Sequence, residues 1–171
     1  LGALLYKGAI RAQREREALF ADRAFPLDPA PAVRGTLNGR PFTSLEDADP
    51  RIGARLECFA GGRYLWLPFA HVASVTMRPP AQLRDTLWPA VTVRTGPSVR
   101  DLELGEVLLP VLAVGSTTHP DDAVRLGRVS DWTTLDDGTE VPVGLKTWLV
   151  DGEEFPLLEL RELVIAGPAD A

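Results

Sequence analysis

Hydrophobic and polar positions change period once along this chain, and the change divides it. Over residues 1 to 21, Leu5, Ala9, Ala12, Leu19 and Phe20 recur at roughly helical spacing, with Arg14, Glu15 and Glu17 between them. That pattern predicts one helix. Pro26, Pro29 and Pro31 then form a stiff connector that no helix can cross. From Ala32 onward the period shortens to two, and the chain reads as strands and turns.

The clearest local element lies at Arg55 to Phe69, where Gly61-Gly62 joins two apolar runs. A two-residue Gly-Gly loop supplies the positive φ angles of a tight hairpin turn. The implied register sets Cys58 opposite Leu65 and Leu56 opposite Leu67, an aliphatic face continued by Phe69. The other face carries Phe59 opposite Tyr64 and Glu57 opposite Trp66. Both faces are apolar in character, so the aromatic one needs either a second layer of this protein or a partner.

Further strands are expected at Val72–Met77, Ala90–Thr95, Glu106–Val114, Val129–Leu135, Val141–Val150 and Pro156–Ile165, with a short helix at Gln82–Trp88. Asp136-Asp137-Gly138 and Asp151-Gly152 carry turn chemistry. Thr118 and Asp121 resemble a capping box for a second short helix that Gly127 can end. The fold class is therefore α+β, an N-terminal helix followed by a mainly antiparallel β-sheet domain with short helices. The division falls at residues 1–31, helix and connector, and 32–171, the sheet domain.

Composition narrows the function. A hydrophobic content of 45% with 25% charged residues belongs to a folded globule rather than a disordered chain. A net charge of −6 disfavours phosphate-backbone binding. One cysteine excludes an intrachain disulfide, and with two histidines it cannot complete a Cys/His zinc site. These features suit a cytoplasmic protein with no cofactor. No run approaches the roughly 18 to 20 apolar residues of a membrane span. The chain opens on Leu1 without a signal-peptide layout, which suggests a processed, trimmed or incompletely represented protein.

Candidate chemistry is thin. Asp47 and Asp49 begin like a calcium loop, but Arg51 stands where a ligand oxygen is required and Cys58 where a bidentate Glu belongs. A solvated turn whose aspartates cap backbone amides explains them better. Ser116, His119 and Asp121 supply the letters of a hydrolase triad without a nucleophile elbow. Cys58 belongs to the aliphatic face of the hairpin and behaves there as a small hydrophobe. Trp66, Trp88, Trp132 and Trp148 are expected to anchor the core, each indole bonded to a carbonyl, or in one or two cases to form a hot spot.

Several stretches together resemble the ImpE/TagJ family of type VI secretion accessory proteins. They are Gly35–Phe42, Asp47–Gly53, Gly61–Phe69, Leu83–Trp88, Gly105–Pro110, Asp121–Arg128 with Asp131-Trp132, and Leu157–Leu163. Their order along Gly35–Ile165 is more specific than any one of them. The resemblance implies a non-enzymatic adaptor that binds the N-terminal helix of the small contractile-sheath subunit (TssB) and is linked to the sheath-recycling ATPase ClpV. It also implies a helical N-terminal half, of which residues 1–31 look like a remnant. Helix recognition needs an aromatic-lined cleft, and Phe59, Tyr64 and Trp66 form the candidate surface. The rival reading is a small hydrolase using Asp47, Asp49 or His119, which requires those groups to converge in one pocket.

Overall fold

The computed structural model describes residues 2–21, 30–97, 99 and 104–169, with side chains in the first segment described from Arg11 to Phe20. Helix α1 spans Gly2–Ala21, and the connector at residues 22–29 lies outside the described residues. Strands β1 (Val33–Leu37), β2 (Arg40–Phe42), β3 (Leu45–Asp47), β4 (Arg55–Ala60) and β5 (Arg63–Pro68) follow. Next come β6 (Val72–Met77), β7 (Ala90–Thr95), β8 (Gly105–Leu108) and the one-turn helix α2 (Asp122–Arg125). The chain closes with β9 (Ser130–Thr134), β10 (Glu140–Gly144), β11 (Thr147–Val150), β12 (Glu153–Pro156) and β13 (Glu162–Pro168). The fold is α+β, dominated by antiparallel sheet.

Eight strands form the main sheet in the order β2-β1-β13-β6-β7-β8-β4-β5. A three-stranded sheet, β12-β11-β3, supplies the second layer, and β9 pairs with β10 alone. Alternation along the strands sends Val33, Leu37, Leu56, Cys58, Val75, Val91, Val93, Val107 and Leu163 into one core. From the other side Leu45, Trp148, Leu157 and Leu160 close it, with Trp148 edge-on to Phe69 at 5.4 Å between ring centroids.

The β4–β5 hairpin has the register read from the sequence, Cys58 opposite Leu65 and Glu57 opposite Trp66. Gly61 and Gly62 turn it at φ of 57° and 78°. Leu65 departs from its expected place, remaining 38% exposed because β5 is the sheet's edge strand. Five other expectations are corrected. The Glu106–Val114 strand ends at Leu108, because Pro110 lacks an N–H and the chain leaves the sheet there. Val141–Val150 breaks in two around Leu145 and Lys146, and Pro156–Ile165 is split by a 3₁₀ turn at Leu157–Glu159. Gln82–Trp88 reduces to a 3₁₀ turn at Leu83–Thr86. The cap of α2 is Asp121, whose carboxylate accepts the Ala123 N–H at 2.8 Å, rather than Thr118.

The tryptophans also divide. Trp148 is a core anchor, 1% exposed, whereas Trp132 is 42% exposed and donates to Glu154 rather than to a carbonyl.

The β1–β13 pair sets the tightest backbone contact. Its register shifts between Arg34 and Gly35, and a Cβ on Gly35 would lie 1.9 Å from the Val164 carbonyl oxygen. Gly35→Ala should therefore lower unfolding free energy by about 2–4 kcal/mol in urea denaturation. Gly96→Ala, whose Cβ would meet its nearest atom at 3.7 Å, should cost less than about 1 kcal/mol. Equal effects would show that the bulge relaxes freely.

Candidate helix-docking site

The main sheet's second face is covered by α1 where β4 and β5 run. On β4, Leu56 and Cys58 point into the core, so Glu57 and Phe59 point to the opposite side, where Tyr64 and Trp66 of β5 join them. Along α1, Ala12, Arg16 and Phe20 are spaced by four residues and so share one face. Ala12 packs with Phe59 and Leu108, and Tyr64, Trp88 and Ala90 border them. Phe20 meets Trp66 edge-on at 5.5 Å, and the Arg51 guanidinium lies 4.7 Å from its ring centre. That guanidinium is held in turn by Asp49, at 2.8 and 2.6 Å.

Glu57 stands at the middle of this apolar face, 1% exposed. Its Oε1 accepts from Arg16 Nε at 2.5 Å and from the Tyr64 hydroxyl at 2.5 Å. Its Oε2 faces the Lys146 ammonium at 2.6 Å and Arg16 Nη2 at 3.3 Å. The Trp66 indole donates to the Tyr64 hydroxyl, so the aromatic face is tied to the same carboxylate. Lys146 sits at the break between β10 and β11. Its N–H is bonded to Val111 and its carbonyl to the Leu157 N–H, which fixes the side chain's origin. The ammonium also meets Asp47 Oδ2 at 2.7 Å. Two cations and two carboxylates thus balance in a buried network reaching from α1 through β4 to β3.

The two carboxylates titrate in opposite directions. Burial pushes both upward, but at Glu57 the charges of Arg16 and Lys146 outweigh it and hold the carboxyl at about 2. At Asp47 burial, together with the neighbouring Glu57 charge, outweighs the Lys146 cation and the Asp49 N–H, and the carboxyl is raised to about 6. Its Oδ2 makes no well-directed hydrogen bond among the described residues, which fits that weaker compensation. Burial followed by the Glu57 charge drives the Tyr64 hydroxyl up, and the same two causes push Cys58 to about 12, an inert thiol.

The structure brings Phe59, Tyr64 and Trp66 together as the sequence suggests, with α1 lying over them. Asp47 and Asp49 cap backbone amides at Asp49 and Arg51, but they are buried, each 2% exposed, and the expectation of a solvated turn is corrected. Their burial follows from the cations of Lys146, far along the chain, and Arg51, two residues on. No group of three metal-ligating side chains occurs among the described residues. Ser116 is buried, donating to the Ala113 carbonyl and accepting the Gly144 N–H at 2.7 Å. His119 lies 3.6 Å from Asp131 and accepts the Asp121 N–H. Asp47 and Asp49 are thus joined through the Asp49 N–H, whereas His119 is bonded elsewhere, to Asp121 and beside Asp131.

Arg16, Glu57 and Lys146 were not singled out by sequence. One signal was available: the hairpin register places a carboxylate on an aromatic face, which demands a cation from whatever covers it.

The network gives a signed pH dependence. Folded Asp47 keeps its proton up to about pH 6, whereas in an unfolded chain it loses it at about 3.9. Between those values the folded state binds the extra proton, so Asp47's contribution to stability falls as pH rises through this window. The thermal midpoint of the wild-type chain minus that of Asp47→Asn should decline from about pH 4 to about pH 6.5 and then level off. A constant difference across that range would refute the assignment.

Comparison with known proteins agrees with this architecture. Residues 39–164 match the ImpE protein family model. The chain is 39% identical over its whole length to the type VI secretion system accessory component TagJ of Pseudomonas aeruginosa, and spans 58% of that protein. A crystal structure of a Vibrio parahaemolyticus protein superposes with a TM-score of 0.68 at 25% identity, covering 92% of this chain and 56% of the other. The chain therefore belongs to the ImpE family and is a homologue of the type VI secretion accessory component TagJ.

Proposed function

We propose that this chain serves bacterial type VI secretion as a non-enzymatic cytoplasmic adaptor. In this reading it engages the N-terminal helix of the small sheath subunit TssB and is linked to the ClpV ATPase. The observation that carries the accessory role is the 39% identity to TagJ along the full chain. The sheath contact is supported by the resemblance and by the character of the β4–β5 face, which already holds a helix through small, cationic and aromatic anchors. Phe59, Tyr64 and Trp66 are the residues assigned to it.

The hydrolase reading has less support. Asp47 is committed to Lys146, Asp49 to Arg51, and the Ser116 hydroxyl to two backbone groups. A general base or nucleophile must instead be within reach of a substrate. The absence of a long apolar helix among the described residues adds only that none of them crosses a membrane as a helix.

Calorimetric titration with the N-terminal helix peptide of the cognate sheath subunit tests the reading. Saturable binding at micromolar concentration or tighter is expected, weakened at least tenfold by Trp66→Ala with the fold retained. Unchanged affinity in that variant would remove the β4–β5 face as the site. No binding by this chain or by a full-length relative would remove the sheath role itself.

A further inference from the structure

We infer that the β4–β5 face is an exchangeable helix-docking surface, on which α1 is a displaceable occupant. Its fitting partner is a protein helix carrying a small residue, an arginine and an aromatic residue at successive intervals of four, the pattern of Ala12, Arg16 and Phe20 in α1.

Among the described residues, the domain's large core draws nothing from α1. The large apolar cluster draws all its described members from Val33 onward, while α1 contributes Ala12 to a separate small cluster with Phe59 and Leu108. Removing α1 also leaves Glu57 compensated, because Lys146 remains at 2.6 Å and the Tyr64 hydroxyl at 2.5 Å. The face can therefore stand open with its carboxylate in place. What it loses is the guanidinium on Oε1, and that loss sets the selectivity. A helix without a cation at the central position would seal one edge of a buried carboxylate beneath hydrocarbon. An arginine restores the paired geometry, which a lysine reproduces less well because it lacks the planar fork.

Width makes occupation exclusive. A helix with its side chains is about 10 Å across and strands lie about 4.8 Å apart, so one helix fills the space over two strands. On one flank of α1 an open cleft of about 250 Å³, lined by Arg16, Phe20, Leu112, Val114 and Thr117 among others, leaves the helix unenclosed. Being part of the same chain, α1 competes at high effective concentration, so an incoming helix must match its anchors or find α1 weakened.

This inference rests on the helix-docking reading of the face but not on the partner being the sheath subunit. The test uses the full 171-residue chain and a synthetic peptide of residues 2–21, followed by tryptophan fluorescence and calorimetry. The Arg16→Ala chain should bind the wild-type peptide saturably and at least tenfold more tightly than either the wild-type chain does or the same chain binds an Arg16→Ala peptide. Phe20→Ala, which loosens α1 without touching Glu57, should likewise bind the wild-type peptide more tightly than the wild-type chain does. Equal binding of both peptides by the Arg16→Ala chain, or of neither, overturns the inference. So does loss of its β-sheet circular dichroism, since the device requires a domain that stands with the face open. If the α1 peptide binds the opened chain and the sheath peptide does not, the surface stands and the sheath reading falls. If the sheath peptide binds the wild-type chain without changing amide exchange in α1, the sheath reading stands and exchange on this face is excluded.

Discussion

A carboxylate buried in the middle of an aromatic sheet face must be compensated, and Glu57 imposes that demand on two distant parts of the chain and on its neighbouring strand. An isolated buried charge costs several kcal/mol, so every conformation that buries this face has to deliver cations to it. Arg16 arrives from α1, Lys146 from the break between β10 and β11, and the Tyr64 hydroxyl from the adjacent strand. Each is separated from Glu57 by a different kind of connection. The network thus fixes where α1 docks, how the second layer meets the main sheet, and which rotamer the edge strand's tyrosine adopts.

Hydrophobic packing alone would not specify these relations. The aliphatic core between the sheets fills with valines and leucines, whose packing tolerates volume-conserving exchange. The face under α1 adds directional contacts to its apolar ones, from Arg16, Tyr64 and Lys146 to Glu57. Exchanging Arg16 or Glu57 for a hydrophobe of similar size would leave charged partners stranded, even where the replacement suited the helix. The ion pair is therefore better understood as a device for register and orientation than as a net source of stability. Lys146 illustrates the construction. It lies where the chain passes from β10 in one sheet to β11 in another, and backbone bonds on both sides, to Val111 and Leu157, hold its side chain on the network.

How much of this was legible depends on how far apart in sequence the determining residues lie. The register and turn of the hairpin at Arg55–Pro68 were readable, because its turn residues and alternation are local and the register follows from loop length. Helix α1 was readable as an element, but its docking stripe was not. A pattern scored by hydrophobicity passes over Arg16, which is buried because its partner is buried. The same reason explains Asp47 and Asp49, which look like a wet turn until Lys146, far along the chain, is brought beside them. Strand ends failed where proline or a redirected backbone intervened, as after Leu108, where the next N–H groups bond to Pro89 and Leu87 instead of to a ladder. Order among short segments carried the family relationship through all of this, since collinear motifs survive errors in local assignment.

The outer face of the main sheet shows why helix docking is confined to one end. Over β13, β6 and β7 it presents Glu162, Thr76, Thr92 and Arg94, all exposed, which keep water on the sheet. Toward β8, β4 and β5 the same face changes to Leu108, Phe59, Tyr64 and Trp66 with Glu57 among them. One face of one sheet is thus wet at one end and dry at the other, and the boundary falls about where a single helix runs out of width. A purely apolar dry end would accept any amphipathic helix. A lone carboxylate within it restricts the choice to helices that bring a cation to one place, so a small surface gains selectivity without a deep pocket.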